Sequence, residues 1–267
     1  MERRAPGRFT LGEFCLTITL VSRACAAESP METCPVVSSL STVEHEVKYV
    51  VPNAGVPALI PWLRARCRIH PEYAETQISS IYYDFPDWRL LGEKLNSTFL
   101  KTKVRLRWYA NAHGDGAGET SFLEAKFKVG AHRKKVRFPS PLSRSQARDL
   151  PLQSVPFRRL PQMLHAHGFL QTHGLTPGFQ ITYTRLRFTH PASCHSFCLD
   201  YNIHVPRVNT SRLGRTGRGF LPRAVLEQKG PENQLSPLLG WLPHFGLQRG
   251  SFSKYSTCFL HLTGALH

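Results

Sequence analysis

No CxxC pair, no P-loop signature and no long apolar run occurs in the chain, and each absence removes a class of protein. The seven cysteines, Cys15, Cys25, Cys34, Cys67, Cys194, Cys198 and Cys258, are odd in number and scattered, which argues against a disulfide framework and against a zinc site. Their tightest grouping, Cys194-His195 with Cys198, reads as free structural thiols rather than metal ligands. A reducing cytoplasm fits that usage. The apolar run Phe14–Val21 holds eight residues between Glu13 and Arg23, whereas a membrane span needs about 20. With arginines before it and Ala24-Cys-Ala-Ala27 after it, the run imitates an export signal, but residues 1–40 are expected to be an unstructured leader or a misassigned start. The loop Ser211–Gly219 has glycines and arginines without the GxxxxGK(S/T) spacing or a strand-to-helix setting, so it reads as a basic loop between strands.

Acidic residues are scarce as well. Eighteen Asp and Glu face 34 Lys and Arg, giving a formal charge of +16 and a pI near 10.0. An anionic partner is implied: nucleic acid, an acidic membrane or a phosphorylated small molecule. The hydrophobic fraction of 41% is enough for a real core.

After residue 40, short alternating runs are separated by Gly, Pro and Asn clusters, as in one continuous antiparallel β domain over residues 42–262. Strands are expected at 43–51, 78–84, 99–110, 120–129, 133–138, 179–189, 196–205, 222–229 and 252–263. Helices are expected at Val56–Cys67, Ser143–Leu150, Pro156–His167 and Gln234–Trp241, as accessories to the sheet. The fold class is therefore mainly antiparallel β (α+β).

Residues two apart on a strand share a face. In Lys101-Thr-Lys-Val-Arg-Leu-Arg-Trp-Tyr109, this puts Lys101, Lys103, Arg105, Arg107 and Tyr109 on one side and Val104, Leu106 and Trp108 on the other. The same test groups Glu124, Lys126 and Lys128 opposite Leu123, Ala125 and Phe127. It groups Tyr183, Arg185 and Arg187 opposite Leu186 and Phe188, and Glu227 and Lys229 opposite Leu226. Glu44, Glu46 and Lys48 share a face near the start, and Lys254 sits in a strand-like setting near the end. A water-facing sheet normally mixes charge signs. Here cations dominate, and like charges directly across strands repel, so the faces make sense as the lining of a receptacle for a polyanion. The glutamates are hard-oxygen ligands suited to Mg²⁺ or Mn²⁺.

Glu44-x-Glu46-x-Lys48 is the ExExK signature of CYTH-like triphosphate tunnel metalloenzymes. The ordered set Lys48-Tyr49, Tyr82-Tyr-Asp84, Lys94-Leu95, Lys103-x-Arg105-x-Arg107-Trp-Tyr109, Phe122-x-Glu124-x-Lys126, Tyr183-x-Arg185, Leu226-Glu227-x-Lys229 and Ser253-Lys254-Tyr255 resembles the vacuolar transporter chaperone (VTC) polyphosphate polymerase domain. The resemblance implies an eight-stranded tunnel barrel that transfers the γ-phosphoryl group of ATP to a growing polyphosphate chain. It implies that Lys48, Arg105, Arg107, Lys126, Arg185 and Lys254 grip the triphosphate and that Tyr183 and Ser253 add hydrogen bonds. Lys103, Arg187 and Lys229 extend the cationic lining. Glu227 is expected to hold Mn²⁺ or Mg²⁺, with Glu44, Glu46 and Glu124 assisting the metal or orienting the lysines.

One position departs from the family. Where an R-x-T-x-D strand is usual, this chain reads Ser196-Phe-Cys-Leu-Asp200, so a tunnel arginine is missing, with Arg187 or the loop residues Arg212, Arg215 and Arg218 as candidate substitutes. A tunnel triphosphatase and a non-catalytic polyanion-binding module stay open beside the polymerase. Nucleic acid is disfavoured, because aromatics on the charged faces are few. ATP and inorganic polyphosphate are the expected partners, and a membrane channel, if there is one, is expected to be a separate protein.

Overall fold

The computed structural model describes residues 45–111, 118–130, 132–169, 172–214, 219–231 and 234–265. The expected leader, Glu44, Arg215 and Arg218 lie outside the described residues.

Among the described residues ten strands follow in chain order: β1 (His45–Pro52), β2 (Arg68–Ile69), β3 (Glu75–Asp84), β4 (Leu100–Asn111), β5 (Thr120–Val129), β6 (His132–Ser143), β7 (Thr176–Thr189), β8 (Ser196–Val208), β9 (Arg223–Gly230) and β10 (Gln248–Arg249). Eight of them are eight residues or longer, the number the resemblance implies. Five α-helices accompany them: α1 (Val56–Arg66), α2 (Arg89–Leu95), α3 (Arg144–Asp149), α4 (Val155–Arg159) and α5 (Lys254–Leu262). All named strand pairs are antiparallel, in the order β10-β1-β9-β8-β7-β3-β4-β5-β6, with β2 on β7. Among the described residues no strand pair joins β6 back to β1, so the sheet is rolled but not closed by hydrogen bonds.

The rolling follows from the side chains. Six strand-to-strand steps separate β1 from β5, which at roughly 4.8 Å per step would place them nearly 29 Å apart in a flat sheet. Yet Glu46 on β1 and Lys126 on β5 line one cavity and feel each other's charge. The sheet therefore curves its charged face inward, in keeping with its right-handed twist.

Strict alternation sorts the side chains. On the convex side, Val47, Tyr49 and Val51 of β1 pack with Leu186, Leu199 and Leu226 against Leu59 and Leu63 of α1. Val104, Leu106, Trp108 and Leu123 pack against Ala147 of α3 and Phe157 of α4. A third cluster lies on the concave side, where Ile78, Tyr82, Phe179, Ile181 and Val225 meet Tyr255, Cys258 and Leu262 of α5. This fills one end of the rolled sheet and leaves the charged end open.

That third cluster corrects the expected strand at 252–263, which is the helix α5. Its Tyr, Thr, Cys and Phe favour strands in isolation, but tertiary packing overrides the preference. Tyr255 stacks on Tyr82 at 4.8 Å and on Phe179 at 5.3 Å, and Phe259 meets Trp88 at 4.9 Å. The expected helix at 234–241 is instead a single 3-10 turn, Pro237–Leu239. Helix α2, not anticipated, has no cap of its own; the buried Asp84 carboxylate accepts from the N–H groups of Leu90 and Leu91 at 2.9 Å each, and from Tyr255 Oη at 2.7 Å. The Tyr82-Tyr-Asp84 string is thus the joint between β3, α2 and α5. Among the described residues no helix is long and apolar enough to cross a membrane.

Candidate functional site

The open end of the rolled sheet is a cavity of about 840 Å³, within the range of ligand sites. Fourteen Lys and Arg but only three Glu line it. The chemistry divides between two walls.

On the β1–β9–β8–β7 wall, Glu227 is a hub. Its Oε1 accepts from Lys48 Nζ at 3.0 Å and from Lys254 Nζ at 3.4 Å, and its Oε2 lies 3.3 Å from Arg185 Nη2. Register explains the meeting, since Lys48 is the partner of Glu227 across β1 and β9, and Arg185 the partner of Asp200 across β7 and β8. Arg185 donates to both Asp200 oxygens, at 2.5 and 2.7 Å, in a bidentate pair. Lys254 also pairs with Asp200. Glu46 pairs with Lys48 at 2.6 Å. Burial opposes the Glu227 charge, but Lys254, Lys48 and Arg185 outweigh it and hold the carboxyl far below the ordinary carboxylate range. Burial opposes the Lys254 ammonium too, and Asp200 and Glu227 push its pKa up regardless.

Lys254 opens α5, where the positive end of the helix dipole disfavours a cation. Asp200 and Glu227 offset that cost. The result is a helix N-terminus, capped by Ser253 Oγ accepting from Ser256 N–H, beside a lysine at the cavity wall. Such an arrangement suits an anion.

The β3–β4–β5–β6 wall carries unpaired cations. Lys103, Lys126 and Lys135 form one cross-strand row, and Lys101, Lys128 and Arg133 the next. Among the described residues none of the six has an ion pair. Like charges directly across strands repel, so a polyanion lying along these rows relieves a repulsion built into the register. Deeper on the same wall, Arg105 pairs with Glu124 at 2.6 Å. Arg107 donates to Ser80 Oγ at 3.0 Å and to Tyr183 Oη at 3.4 Å.

Lys103 lies 4.8 Å over the Tyr82 ring. Burial lowers the Lys103 pKa to about 8 against the opposing pull of Tyr82, with Arg105 and Arg107 adding to the fall. Burial also opposes ionisation of Tyr82, but Lys103, Arg105 and Arg107 outweigh it and bring the phenol to about 7. An unfolded lysine titrates near 10.4, so Lys103 destabilises the free protein below pH 8, and that penalty is relieved as pH rises from there. Phosphate binding, which needs the ammonium, runs the other way. The affinity for inorganic triphosphate, measured by calorimetry, is expected to fall about tenfold as pH rises through 8. The Lys103→Arg variant, whose guanidinium stays charged, should remove the fall near pH 8 and leave the one near 7 that ionisation of Tyr82 sets.

Of the residues singled out from sequence, the cavity gathers Glu46, Lys48, Lys103, Arg105, Arg107, Glu124, Lys126, Tyr183, Arg185, Glu227, Lys229, Ser253 and Lys254. Arg187 stays apart, donating to Tyr73 O at 3.2 Å and Thr76 Oγ1 at 3.0 Å outside the lining. Arg212 is no substitute for the missing arginine: it lies over Trp88 at 3.9 Å and donates to Asp84 O at 3.1 Å. Ser196 sits on the concave face opposite Lys229. Two contributions went unread. Asp200 is the second carboxylate of the Glu227 cluster, and Arg133 and Lys135 of β6 bring a third strand of cations; their alternation in His132-Arg-Lys-Lys-Val-Arg137 is the signal that finds them.

The carboxylates suit a hard divalent cation only in part. Among the described residues no group of three His, Cys, Asp or Glu forms a metal cage. Glu46 and Glu227 both reach Lys48, and Mg²⁺-type ions commonly take one or two carboxylates plus substrate phosphates. That fits a metal arriving with phosphate. Glu124 lies on the opposite wall, paired with Arg105 at 2.6 Å and with Arg137 at 3.6 Å.

The fold and cavity define a rolled antiparallel β protein with a cationic concave face. The VTC domain family model matches residues 43–263, and the chain belongs to that family. No curated protein matches it in sequence. Among solved structures it is similar to a Bacillus halodurans protein provisionally described as an adenylate cyclase, at 14% identity over 79% of this chain and 94% of that one, with a TM-score of 0.46. It is also similar to a Vibrio parahaemolyticus protein of the same provisional description, at 15% over 81% and 97%, TM-score 0.42. The PH1819 protein from Pyrococcus horikoshii OT3 matches at 12% over 80% and 98%, TM-score 0.43.

Proposed function

We propose that the protein is a polyphosphate polymerase. It binds ATP through its phosphates in the cavity and transfers the γ-phosphoryl group to the end of a polyphosphate chain. The observation that carries this reading is the second wall: among the described residues its two rows of lysines and arginines have no carboxylate partners, and they face a first wall where Lys48, Arg185 and Lys254 are paired with Glu227 and Asp200. An attacking water is neutral and needs no such track, whereas an acceptor polyanion does, which favours polymerase over triphosphatase.

Phosphoryl transfer needs positioning and charge neutralisation rather than a protein nucleophile. A terminal oxygen of the acceptor chain attacks the γ-phosphorus, that P–O bond forms, and the bond to the β-γ bridging oxygen breaks, with ADP leaving on the electron pair. The acceptor is an anionic oxygen, so no side chain has to remove a proton. Lys48, Arg105, Arg107, Arg185 and Lys254 hold the triphosphate, and Lys101, Lys103, Lys126 and Lys128 hold the acceptor. A Mn²⁺ or Mg²⁺ ion, held by Glu227 with Glu46, would neutralise charge on the transferring group and the leaving oxygens. The site would work in a cytoplasm-like supply of ATP.

The test is incubation with γ-labelled ATP and Mn²⁺, with products resolved by size. A ladder of long labelled chains with ADP is the expected result. Labelled orthophosphate without a ladder would make the protein a triphosphatase, and unchanged ATP with retained polyphosphate binding would make it a polyanion-binding module.

A further inference from the structure

Four of the ten exposed large apolar side chains on the described surface gather at one place. Leu95, Phe99, Leu100 and Val129 are exposed by 47%, 73%, 49% and 43%, and the fold brings them to one tip. Leu95 ends α2, and Leu100 opens β4 as the register partner of Val129 at the end of β5. Gly130 donates its N–H to Phe99 O at 3.1 Å, and a Cβ on Gly130 would lie 2.7 Å from the Phe99 ring. Its φ of +58° suits glycine as well. Two turns thus hold an aromatic ring out in solvent, with no core of its own to enter.

The charge around this tip is mostly positive. Lys94, Lys101, Lys128 and Arg133 line the adjoining rim of the cavity, and His132 and Lys134 follow along β6. The neighbouring carboxylate, Glu93, is occupied by the Thr102 N–H at 2.7 Å. A stable protein interface buries roughly 800 Å² per partner, more than four side chains on a tip offer. An anionic bilayer requires less: a few apolar side chains among the headgroups, and basic residues each contributing about fivefold in partition.

We propose that this tip docks the cavity mouth onto an anionic phospholipid surface. Phe99, Leu100, Leu95 and Val129 enter the headgroup layer, and Lys94 and Arg133 at the rim meet lipid phosphates. The attraction is screened by salt, and the apolar tip supplies the part that salt leaves intact.

The test is co-sedimentation of the full chain with phosphatidylcholine vesicles with and without phosphatidylserine. The wild-type protein is expected to sediment with the anionic vesicles, and the Leu95→Ser/Phe99→Ser double variant to partition at least about tenfold more weakly while its ATP turnover in solution is unchanged. An Arg107→Met variant, altered inside the cavity, should sediment like the wild type, which separates failure of docking from failure of the polymerase reading. No sedimentation with anionic vesicles would overturn the proposal, as would equal sedimentation of the double variant. Self-association of the wild type that the double variant loses, without vesicle binding, would assign the tip to a second copy of the chain and overturn it too.

Discussion

The Glu227→Ala variant is expected to lose about 3–5 kcal/mol of stability in the ligand-free state, because removing one partner of a buried ion cluster strands the others. Three cations converge on this carboxylate, at 3.0, 3.3 and 3.4 Å. After its removal Lys48 keeps Glu46, while Arg185 and Lys254 must share Asp200. Part of the loss is recoverable. Inorganic triphosphate supplies anionic oxygens to the stranded cations, and binding to the folded state stabilises by mass action. The urea midpoint of Glu227→Ala should therefore rise more on adding triphosphate than that of the wild type. An unchanged midpoint without ligand would mean that Glu227 is not the hub of the cluster. Glu227→Gln keeps the volume but removes the charge, and under the metal assignment it loses Mn²⁺-dependent turnover.

Alternation made the charged faces legible before any coordinates. Period two is a strict rule on a strand, and it placed Lys48, Lys101, Lys103, Arg105, Arg107, Lys126, Lys128, Arg185 and Lys229 on the cavity side, where they lie. What alternation does not encode is which strands become neighbours. The rows Lys103-Lys126-Lys135 and Lys101-Lys128-Arg133 exist because β4, β5 and β6 pair in one register, and the third member of each row became visible with that pairing. The resemblance located Lys254 and Ser253 correctly at the cavity but not their backbone. The residues after Phe252 are strand formers by propensity, and they are helical because Tyr82, Phe179 and Trp88 offer a concave apolar seat that a helix fills. Arg187 shows the opposite failure. It shares the face of Arg185, yet its guanidinium reaches the Tyr73 carbonyl and Thr76 instead of the cavity, a choice made by a long flexible side chain.

Arg107→Met is expected to lower ADP formation from ATP by about 10³-fold or more, the scale associated with an arginine that stabilises phosphoryl transfer, while leaving the melting temperature of the free protein unchanged or higher. The two effects separate because of how Arg107 is held. It is 8% exposed, bonded to the Ser80 and Tyr183 hydroxyls, and among the described residues it has no carboxylate in ion-pair reach. A buried cation without an anion costs the fold free energy, and methionine fills a comparable volume without that cost. In the free protein two hydroxyl bonds and the more distant charge of Glu124 offset only part of that cost, and the triphosphate supplies the anion it lacks. Stability and activity are thus set against each other at this residue, the trade expected where a site is built for a ligand that the free protein lacks. A melt measured beside a single-turnover assay decides the matter. If turnover and melting temperature fall together, Arg107 is a structural residue, and the deep end of the cavity is not where the transferring phosphate sits.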